Sequence, residues 1–300
     1  MRIAETEASI ISDGSFLLDG GTMFGVIPRP LWARACAPDE HNRIRLGLNC
    51  LLVRAPCGPV LIEGGIGRSF SGREAEIYSV SGPCLGEGLA AEGVKPEEIR
   101  YVVLTHLHID HAGAAVAVDG MGRPAPFFKN AAYIVQRQEW LDAMENYGVM
   151  KSSYRPDVLG AIEEGGNLKL IDGDFELAPG IQLILTGGHT RGHQAVIIKS
   201  GDETIIFPGD IIPTAAHLKE TYITSYDLFP MDTLRAKREI ISKAENARAI
   251  MVFYHEPGEP AGRIELDNDE SLISARPINS TIKEVSIWDS HRRGRSGSGT

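Results

Sequence analysis

The sequence of 300 residues predicts a mixed α/β fold. Short runs rich in Val, Ile and Leu recur along the chain, and each ends at a turn or at polar residues, as strands do. Between these runs lie segments with apolar residues at helical spacing, the clearest at residues 232–247. Hydrophobic residues make up 43% of the chain, which is enough for the core of one large domain.

The elements can be placed in order along the chain. We predict paired strands at 48–54 and 60–62, a short helix at 85–92, a strand at 99–104, a helix starting within 112–118, a strand at 132–135, a helix at 138–146, a meander of strands at 181–185, 195–199 and 204–207, a helix at 232–247 and a strand at 249–254. Asp232 is a candidate N-cap of the last helix, because acidic side chains accept hydrogen bonds from the first free amides.

The most distinctive segment is Thr-His-Leu-His-Ile-Asp-His at 105–111, directly after the predicted strand 99–104. Imidazole and carboxylate groups together suit zinc and similar cations. On an extended chain, His106 and His108 point the same way, because alternate side chains share a face. Asp110 and His111 then face a second position nearby. The segment therefore predicts a site that can serve two metal ions.

Further candidate ligands follow later predicted strands. They are His189 and His193 in the glycine-rich segment 186–194, Asp210 after the strand 204–207, and His255 at the end of the strand 249–254. Each of these residues alone is a weak indication, because histidines and aspartates are also common structural residues. Their shared position, after an apolar strand and beside a turn, makes the set specific.

Taken together, these residues resemble the motifs of the metallo-β-lactamase superfamily. The His-x-His-x-Asp-His signature is matched at 106–111, the Gly-His-Thr-x-Gly-His motif at 188–193, the strand-end Gly-Asp at 209–210, and the last histidine by His255. The resemblance covers residues 45 to 260. It implies an αββα sandwich, in which two mixed β-sheets are flanked by helices and the metals lie at one edge between the sheets.

The resemblance also implies which residues hold the metals. The ligands would be His106, His108 and His193 for one ion and Asp110, His111 and His255 for the other, with Asp210 bridging the two. His189 would be the residue of its motif that does not bind metal. The implied cofactors are two divalent ions, for which Zn²⁺ is the leading candidate and Fe or Mn are alternatives.

A hydrolytic mechanism follows from such a centre. Two divalent ions about 3.5–4 Å apart share a water molecule and lower its pKa, so that a bridging hydroxide becomes the nucleophile. By the resemblance, Asp110 also orients this hydroxide and is therefore a catalytic residue. No serine or cysteine nucleophile is needed, and the chain has no Gly-x-Ser-x-Gly pattern.

Residues around the substrate are expected outside these motifs. The apolar segment 20–32 resembles the N-terminal segment of the lactonase-like branch, which suggests that Phe24 and Trp32 bind substrate. Tyr222 opens a second apolar segment, 222–230, which would form the facing wall. The alternative for segment 20–32 is a loop that packs on the core.

The sequence departs from the lactonase pattern in two places. Quorum-signal lactonases commonly have a tyrosine three residues after the bridging aspartate, where this chain has Pro213. His217, Tyr222 and Tyr226 are candidates to stabilise the oxyanion instead, and we assign His217 and Tyr226 as catalytic. The second departure is Glu63, in Glu-Gly-Gly where the family usually has Asp-Thr-Gly; its carboxylate could still support the metal ligands at greater reach.

Three functions remain open at this stage. The leading interpretation is a dinuclear hydrolase of a small ester or lactone, with N-acyl homoserine lactones as candidates. A glyoxalase II-like thioesterase would need basic residues for the glutathione carboxylates, and Arg29 and Arg191 could contribute. A mononuclear iron enzyme resembling the persulfide dioxygenases is the third. Its iron ligands would be His106, His108, His193 and Asp210.

Composition and charge narrow the partners. The formal net charge of −10 argues against nucleic acid, since phosphate binding requires basic patches. No run of eighteen apolar residues and no signal-peptide pattern are present, so no membrane partner and a cytoplasmic location are expected. The four cysteines show no CxxC spacing. A small-molecule substrate is the expected partner.

The chain is predicted to have three regions. Residues 1–44 would form an N-terminal extension that packs on the core and flanks the active site, residues 45–290 the catalytic domain, and residues 291–300 a disordered tail. The apolar part of the extension could instead serve a homodimer contact.

Overall fold

The computed structural model describes residues 6–70, 72–148, 153–266, 273–277 and 283–284. The strands are β1 (Glu7–Asp19), β2 (Arg43–Ala55), β3 (Gly58–Ile62), β4 (Tyr101–Val103), β5 (Val116–Val118), β6 (Pro124–Pro126), β7 (Ala132–Gln136), β8 (Leu168–Ile171), β9 (Phe175–Ala178), β10 (Ile181–Leu185), β11 (Gln194–Ser200), β12 (Glu203–Phe207), β13 (Ile250–Val252), β14 (Ala261–Leu266), β15 (Ile273–Pro277) and β16 (Lys283–Glu284). The α-helices are α1 (Gly20–Phe24), α2 (Arg29–Trp32), α3 (Gly72–Tyr78), α4 (Leu85–Ala91), α5 (Ile109–Ala112), α6 (Arg137–Met144), α7 (Pro156–Glu164) and α8 (Pro230–Ala247).

Two seven-stranded sheets form the body of the fold. The first has the order β16-β1-β2-β3-β4-β7-β8 and the second β15-β14-β13-β12-β11-β10-β9. Both sheets are mixed. In the first, β1 pairs with β2 and β2 with β3 in antiparallel fashion, whereas β3, β4, β7 and β8 run parallel to one another. In the second, which is mostly antiparallel, β12 pairs in parallel with β13. Helices α4 and α6 contact the first sheet and α8 contacts the second. The expected αββα sandwich is confirmed.

The core lies between the sheets and draws on both. Leu48, Leu52 and Val103 of the first sheet share one cluster of buried side chains with Val196 and Phe207 of the second. Two of the parallel pairs, β3 with β4 and β12 with β13, end near one edge of this sandwich. Loops that leave these strands are therefore brought together, which is where the candidate ligands lie.

Residues 7–19 form a strand of the first sheet and are not an appended segment. β1 pairs with β2 from Glu7 opposite Arg54 to Asp19 opposite Arg43, with a register shift between Ser12 and Ser15. Residues 7–19 are thus integrated into the first sheet by hydrogen bonds along their length. The predicted tail, 291–300, lies outside the described residues.

The segment after the histidine-rich motif differs from its prediction. A helix was expected to start within 112–118, but α5 already ends at Ala112, a single 3₁₀ turn covers Gly113–Ala115, and Val116 begins the strand β5. Gly113 is closely packed, since a Cβ atom there would lie 2.3 Å from the carbonyl oxygen of Ile66. The β-branched Val116 and Val118 then favour the extended conformation.

Helix α8 begins two residues earlier than predicted. Pro230 occupies its first turn and Phe229 its N-cap, so Asp232 lies inside the first turn and is not the cap. Ile240, Ile241 and Ala244 are buried, while the opposite face is charged. Among the helices of the described residues, none combines the length and the apolar character that a bilayer crossing requires.

Candidate metal centre

Three histidines converge at the end of β4. His106 and His108 follow that strand, and His189 comes from the loop between β10 and β11. His106 Nε2 lies 3.0 Å from His108 Nδ1, which lies 3.2 Å from His189 Nε2. One ligand atom from each of the three falls within 4.8 Å of the others. We call these residues the first ligand group, because three clustered nitrogens match the donors that zinc prefers.

A second cluster lies beside the first. Asp110 and His111 belong to α5, and His255 follows β13. Asp110 Oδ2 lies 3.4 Å from His255 Nε2 and 3.8 Å from His111 Nε2. These three residues are the second ligand group, and their ligand atoms also lie within 4.8 Å of one another.

Asp210 lies between the two groups, in a short turn after β12. Its Oδ1 is 3.4 Å from both His111 Nε2 and His255 Nε2 of the second group. Its Oδ2 is 3.5 Å from His189 Nε2 of the first group. Each carboxylate oxygen thus faces a different group, which is the geometry that a bridging ligand requires.

In most of these histidines, a hydrogen bond at Nδ1, the ring nitrogen that points away from the centre of the site, fixes the orientation and the tautomer of the ring. Four Nδ1 atoms face an acceptor: His106 with Thr105 Oγ1 at 3.0 Å, His111 with Glu63 Oε1 at 3.1 Å, His189 with Asp227 Oδ1 at 2.8 Å, and His255 with the carbonyl oxygen of Gly47 at 3.0 Å. A proton held on Nδ1 leaves the Nε2 lone pair pointing inward. The departure at Glu63 therefore preserves a carboxylate that supports a candidate ligand.

Unpartnered buried atoms show that the site suits cations. His108 Nε2, His111 Nε2 and Asp210 Oδ1 are buried and have no hydrogen-bond partner among the described residues. Such atoms are rare because burying a polar atom without a partner is costly. The last two face the second ligand group, where a divalent cation would satisfy both. The donor set of imidazoles and carboxylates fits two such ions.

Burial and charge favour the metal-binding forms of several ligands. Burial, followed by repulsion from the neighbouring imidazoles, lowers the pKa of His106 and of His108 well below the usual histidine value. Burial alone would raise the pKa of Asp210, but His111 and His255 hold it well below its usual range. His106 and His108 are therefore neutral imidazoles beside an ionised Asp210 carboxylate, the forms that metal binding requires. Burial alone would lower the pKa of His111 and of His189, but Asp210, Glu63 and Asp110 raise that of His111 and Asp227 and Asp210 raise that of His189, so both would release a proton when a metal binds.

His193 does not converge with the ligand groups, so its assignment as a ligand is wrong for this structure. Its Nδ1 lies 2.6 Å from Thr186 Oγ1, and its Nε2 accepts a hydrogen bond from the Asp210 backbone N–H at 3.0 Å. Gly209, at φ 55°, makes that approach feasible, since a Cβ atom there would lie 2.6 Å from His193 Nε2. His189, expected to be the non-ligand, takes the inward position.

Helix α6 holds the two loops of the first ligand group together. Glu139 Oε1 accepts from the backbone N–H of Leu107 at 2.9 Å, and its Oε2 accepts from Thr190 Oγ1 at 2.5 Å. One turn on, Asp142 Oδ2 accepts from Arg191 Nε at 2.7 Å. Sequence analysis missed this support, as it missed Asp227. The acidic residues of an ordinary helix surface gave no indication of it.

A cavity of about 250 Å³ opens above the two groups. His108, Asp110, His189, Asp210 and His255 form its floor. Its walls include Phe16, Leu18, Met23, Ile66, Tyr78 and Tyr226. A small apolar pocket over converging polar groups is the usual form of a binding site for a small molecule.

Three residues expected to bind substrate do not line this cavity. Phe24 and Trp32 are 0% and 1% exposed, and their rings stack 5.3 Å apart. The ring of Tyr222 meets Phe24 edge-on at 5.7 Å. The predicted role is therefore wrong, and the alternative of a loop packing on the core is the one observed. Met23, the residue before Phe24, lines the cavity instead.

His217 is also too deep to act on a substrate. Its ring stacks on Phe24 at 4.7 Å, its Nε2 lies 2.8 Å from the carbonyl oxygen of Met23, and its Nδ1 lies 2.7 Å from Thr214 Oγ1. Burial, followed by repulsion from Lys237, lowers the pKa of His217 to about 3. Its assignment as catalytic is contradicted, and it is a neutral structural residue.

Tyr226, which was assigned as catalytic together with His217, does line the cavity. Its hydroxyl oxygen lies 3.0 Å from Thr22 Oγ1 of helix α1. Burial raises the pKa of Tyr226 to about 12, so the phenol stays protonated at neutral pH.

Comparisons with known proteins identify relatives of this chain. The sequence model of the Metallo-beta-lactamase superfamily matches residues 44–255. An N-acyl homoserine lactonase of Bacillus cereus is 27% identical over 240 residues, which cover 74% of this chain and 86% of that protein. A probable metal-dependent hydrolase from Staphylococcus aureus superposes with a TM-score of 0.83 at 31% identity, over 94% of this chain and 99% of that one. The dizinc quorum-quenching lactonase AidC shares the fold, with a TM-score of 0.73 at 20% identity over 93% and 97% of the two chains.

Proposed function

The chain belongs to the metallo-β-lactamase superfamily and is an enzyme of its metallo-hydrolase kind, and on this premise we propose that it hydrolyses a small, uncharged ester or lactone with two divalent metal ions. The observation that carries the proposal is the position of Asp210. One of its carboxylate oxygens faces each ligand group, at 3.4 Å and 3.5 Å from the nearest imidazole nitrogens. A centre for a single ion would not need two such groups.

Each ligand has a place in this proposal. The first ion would be held by His106, His108 and His189, the second by Asp110, His111 and His255, and both by Asp210. Zn²⁺ is the leading candidate because nitrogen and carboxylate donors suit it, and Fe or Mn remain alternatives. Bound in such a pair, divalent ions supply a water molecule of lowered pKa and Lewis acidity toward a carbonyl oxygen.

In the proposed reaction, residues of the cavity orient the attacking water molecule and exclude other water from the site. Asp110 is partly exposed at the cavity floor, so its carboxylate can accept a hydrogen bond from the attacking water and orient it. Phe16, Leu18 and Met23 exclude bulk solvent from the reacting carbon and contact the apolar part of the substrate. Tyr226, which also lines the cavity, contacts the substrate as well.

N-acyl homoserine lactones are the leading candidates for the substrate. They combine an uncharged lactone ring with an apolar chain, which matches a floor of polar groups under apolar walls. The relatives from Bacillus are lactonases of this class, at 27–28% identity. Among the described residues that line the cavity, none is lysine or arginine, so an anionic substrate finds no counter-charge there.

The two alternatives receive less support. A glutathione thioester would need basic residues, but Arg191 is paired with Asp142 and lies over the Tyr147 ring at 4.0 Å, and exposed Arg29 is not part of the lining. A mononuclear iron enzyme would use His193, whose ring nitrogens are both engaged elsewhere.

Metal analysis paired with turnover tests the proposal. The purified protein, loaded with Zn²⁺, Mn²⁺ or Fe²⁺, would be assayed for ions per chain and for hydrolysis of N-acyl homoserine lactones, simple lactones, aryl esters and a glutathione thioester. We expect two ions per chain and turnover of lactone or ester. Asp210→Asn is the control, since it should weaken binding of both ions. One iron per chain without hydrolysis of any substrate would contradict the proposal.

A further inference from the structure

The proposed reaction needs a hydrogen-bond donor for the oxygen that gains negative charge, and position 213 does not provide one. Pro213 has neither a hydroxyl nor a backbone N–H. A preorganised donor at a developing oxyanion is often the largest single contribution of an active site. Among the described residues of the cavity lining, Tyr78, Ser153 and Tyr226 carry a hydroxyl group that can serve instead. The two phenols are more acidic than the serine hydroxyl and are therefore the stronger donors.

The proton of Tyr226 is already used inside the protein. Thr22 Oγ1 donates its only proton to the carbonyl oxygen of Asp19, at 2.8 Å. The 3.0 Å contact between Thr22 Oγ1 and Tyr226 Oη must then have Tyr226 as donor. Toward the cavity, Tyr226 offers only lone pairs. To donate to a substrate it would have to break the bond that ties its loop to α1.

The hydroxyl of Tyr78 does not donate to another described residue in this way. Tyr78 is the last residue of α3, and its ring is held between Phe70, at 5.1 Å, and Phe16, at 6.4 Å. It lines the same cavity as Asp110. Its hydroxyl has no hydrogen-bond partner among the described residues. A phenol fixed by its ring, with a free proton beside the cavity floor, is equipped to donate to a ligand.

The surrounding charges keep that proton in place. Burial, followed by the negative charges of Asp110 and Glu74, raises the pKa of Tyr78, and Arg155 opposes this only in part. Tyr78 and Asp110 of the second ligand group line the same cavity. At neutral pH, Tyr78 therefore remains a neutral donor.

We propose that Tyr78 donates the hydrogen bond to the substrate oxygen that becomes negative during hydrolysis, and that Tyr226 does not. This inference rests on the proposed hydrolase activity. It assigns a catalytic role to a residue outside the metal-binding motifs, on helix α3. It also assigns Tyr226 a different role, that of connecting the loop 222–229 to α1.

A matched pair of variants tests the assignment. Tyr78→Phe and Tyr226→Phe each remove one hydroxyl from the same cavity and keep the ring, so the ring contacts with Phe70 and Phe16 persist. With the two-metal enzyme and its best lactone or ester, we expect Tyr78→Phe to lower kcat by about 100-fold, with little change in KM. Tyr226→Phe should lower kcat far less.

A second measurement separates donation from a structural effect. A phosphonate monoester carries negative oxygen in place of the reacting carbonyl, and its inhibition constant should rise in Tyr78→Phe by about the factor lost in kcat/KM. The metal content of both variants and the melting temperature of Tyr78→Phe should match those of the wild type, whereas Tyr226→Phe should melt slightly lower because it loses the hydrogen bond to Thr22. Full activity in Tyr78→Phe, or a larger loss in Tyr226→Phe, would overturn the inference and leave the hydrolase proposal intact. No turnover by the wild type on the whole panel would overturn both.

Discussion

Lys237 carries an amino group that the fold buries almost completely. It lies on the inner face of α8, where its side chain is 0% exposed. Its Nζ donates to the carbonyl oxygens of Tyr222 and Lys219. Burial lowers the pKa of Lys237 from 10.5 to about 8, and the carboxylates of Asp227 and Glu220 offset this only in part. The free energy of unfolding should therefore depend on pH through this one group.

The sign follows from where the proton binds more tightly. The unfolded chain holds its lysine proton up to about pH 10.5, whereas the folded chain releases it near pH 8. Between these values the unfolded state binds more protons, so the stability of the folded state rises with pH. The full shift of about 2.5 units corresponds to about 3.4 kcal/mol. Between pH 7 and pH 9, the free energy of unfolding should rise by about 1.3 kcal/mol of this total.

Urea unfolding of the wild type and of Lys237→Met, at pH 7, 8 and 9 with the same metal loading, measures this effect. Other titrating groups are common to both proteins and cancel in the difference. The wild type should gain about 1.3 kcal/mol relative to the variant over this range. Lys243→Met, on the exposed face of the same helix, should show no such trend. A difference between wild type and Lys237→Met that stays constant with pH would refute the reasoning.

Four further predictions concern the metal centre. Elemental analysis should find one ion instead of two in His189→Ala, whereas His193→Ala should keep both, bound more weakly, because only the support of the Asp210 amide is lost. Asp110→Ala should lose one ion and most turnover while its circular dichroism spectrum remains that of the wild type. Excess chelator should lower the melting temperature, because metal that binds only the folded state stabilises it. Competition titration should show that Glu139→Ala weakens one of two metal-binding steps by about 10–100-fold, and equal weakening of both would contradict its local role.

Much of the fold could be predicted, and most of the residues that the structure brings together in the two ligand groups had been named as candidates. The strands at 181–185, 195–199 and 204–207 combine β-branched residues with nearby turns, and they form the meander β10 to β12. The motif at 106–111 contains four metal-capable side chains in six residues, a density that an ordinary loop does not show.

The choice between His189 and His193 could not be predicted from their shared motif. Both histidines follow the same strand and lie among glycines. What separates them is an acceptor 38 residues further along, Asp227, which holds His189 Nδ1, and a backbone N–H that occupies His193 Nε2. Contacts of that range depend on the packing of loops, which periodicity and spacing do not encode.

The cavity wall was hard to predict for a related reason. Phe24 and Phe16 are the same residue type and lie eight positions apart, yet the first is sealed in the core and the second lines the cavity. Phe16 lies on β1 and Phe24 on α1, and neither element was predicted from the sequence. Composition identified an apolar region near the site but could not say which of its side chains faces the ligand.

The position of β1 has a consequence for how this enzyme could diversify. Phe16, Leu18 and Met23 of the cavity wall precede residue 44, where the match to the superfamily begins, whereas every candidate metal ligand lies after it. Part of the cavity wall is thus encoded upstream of every candidate metal ligand, while Ile66, Tyr78 and Tyr226 are encoded among the ligands. Recombination upstream of β2 would replace three wall residues and leave all the candidate ligands unchanged, so the shape of the pocket can vary in evolution while the metal-binding residues stay the same.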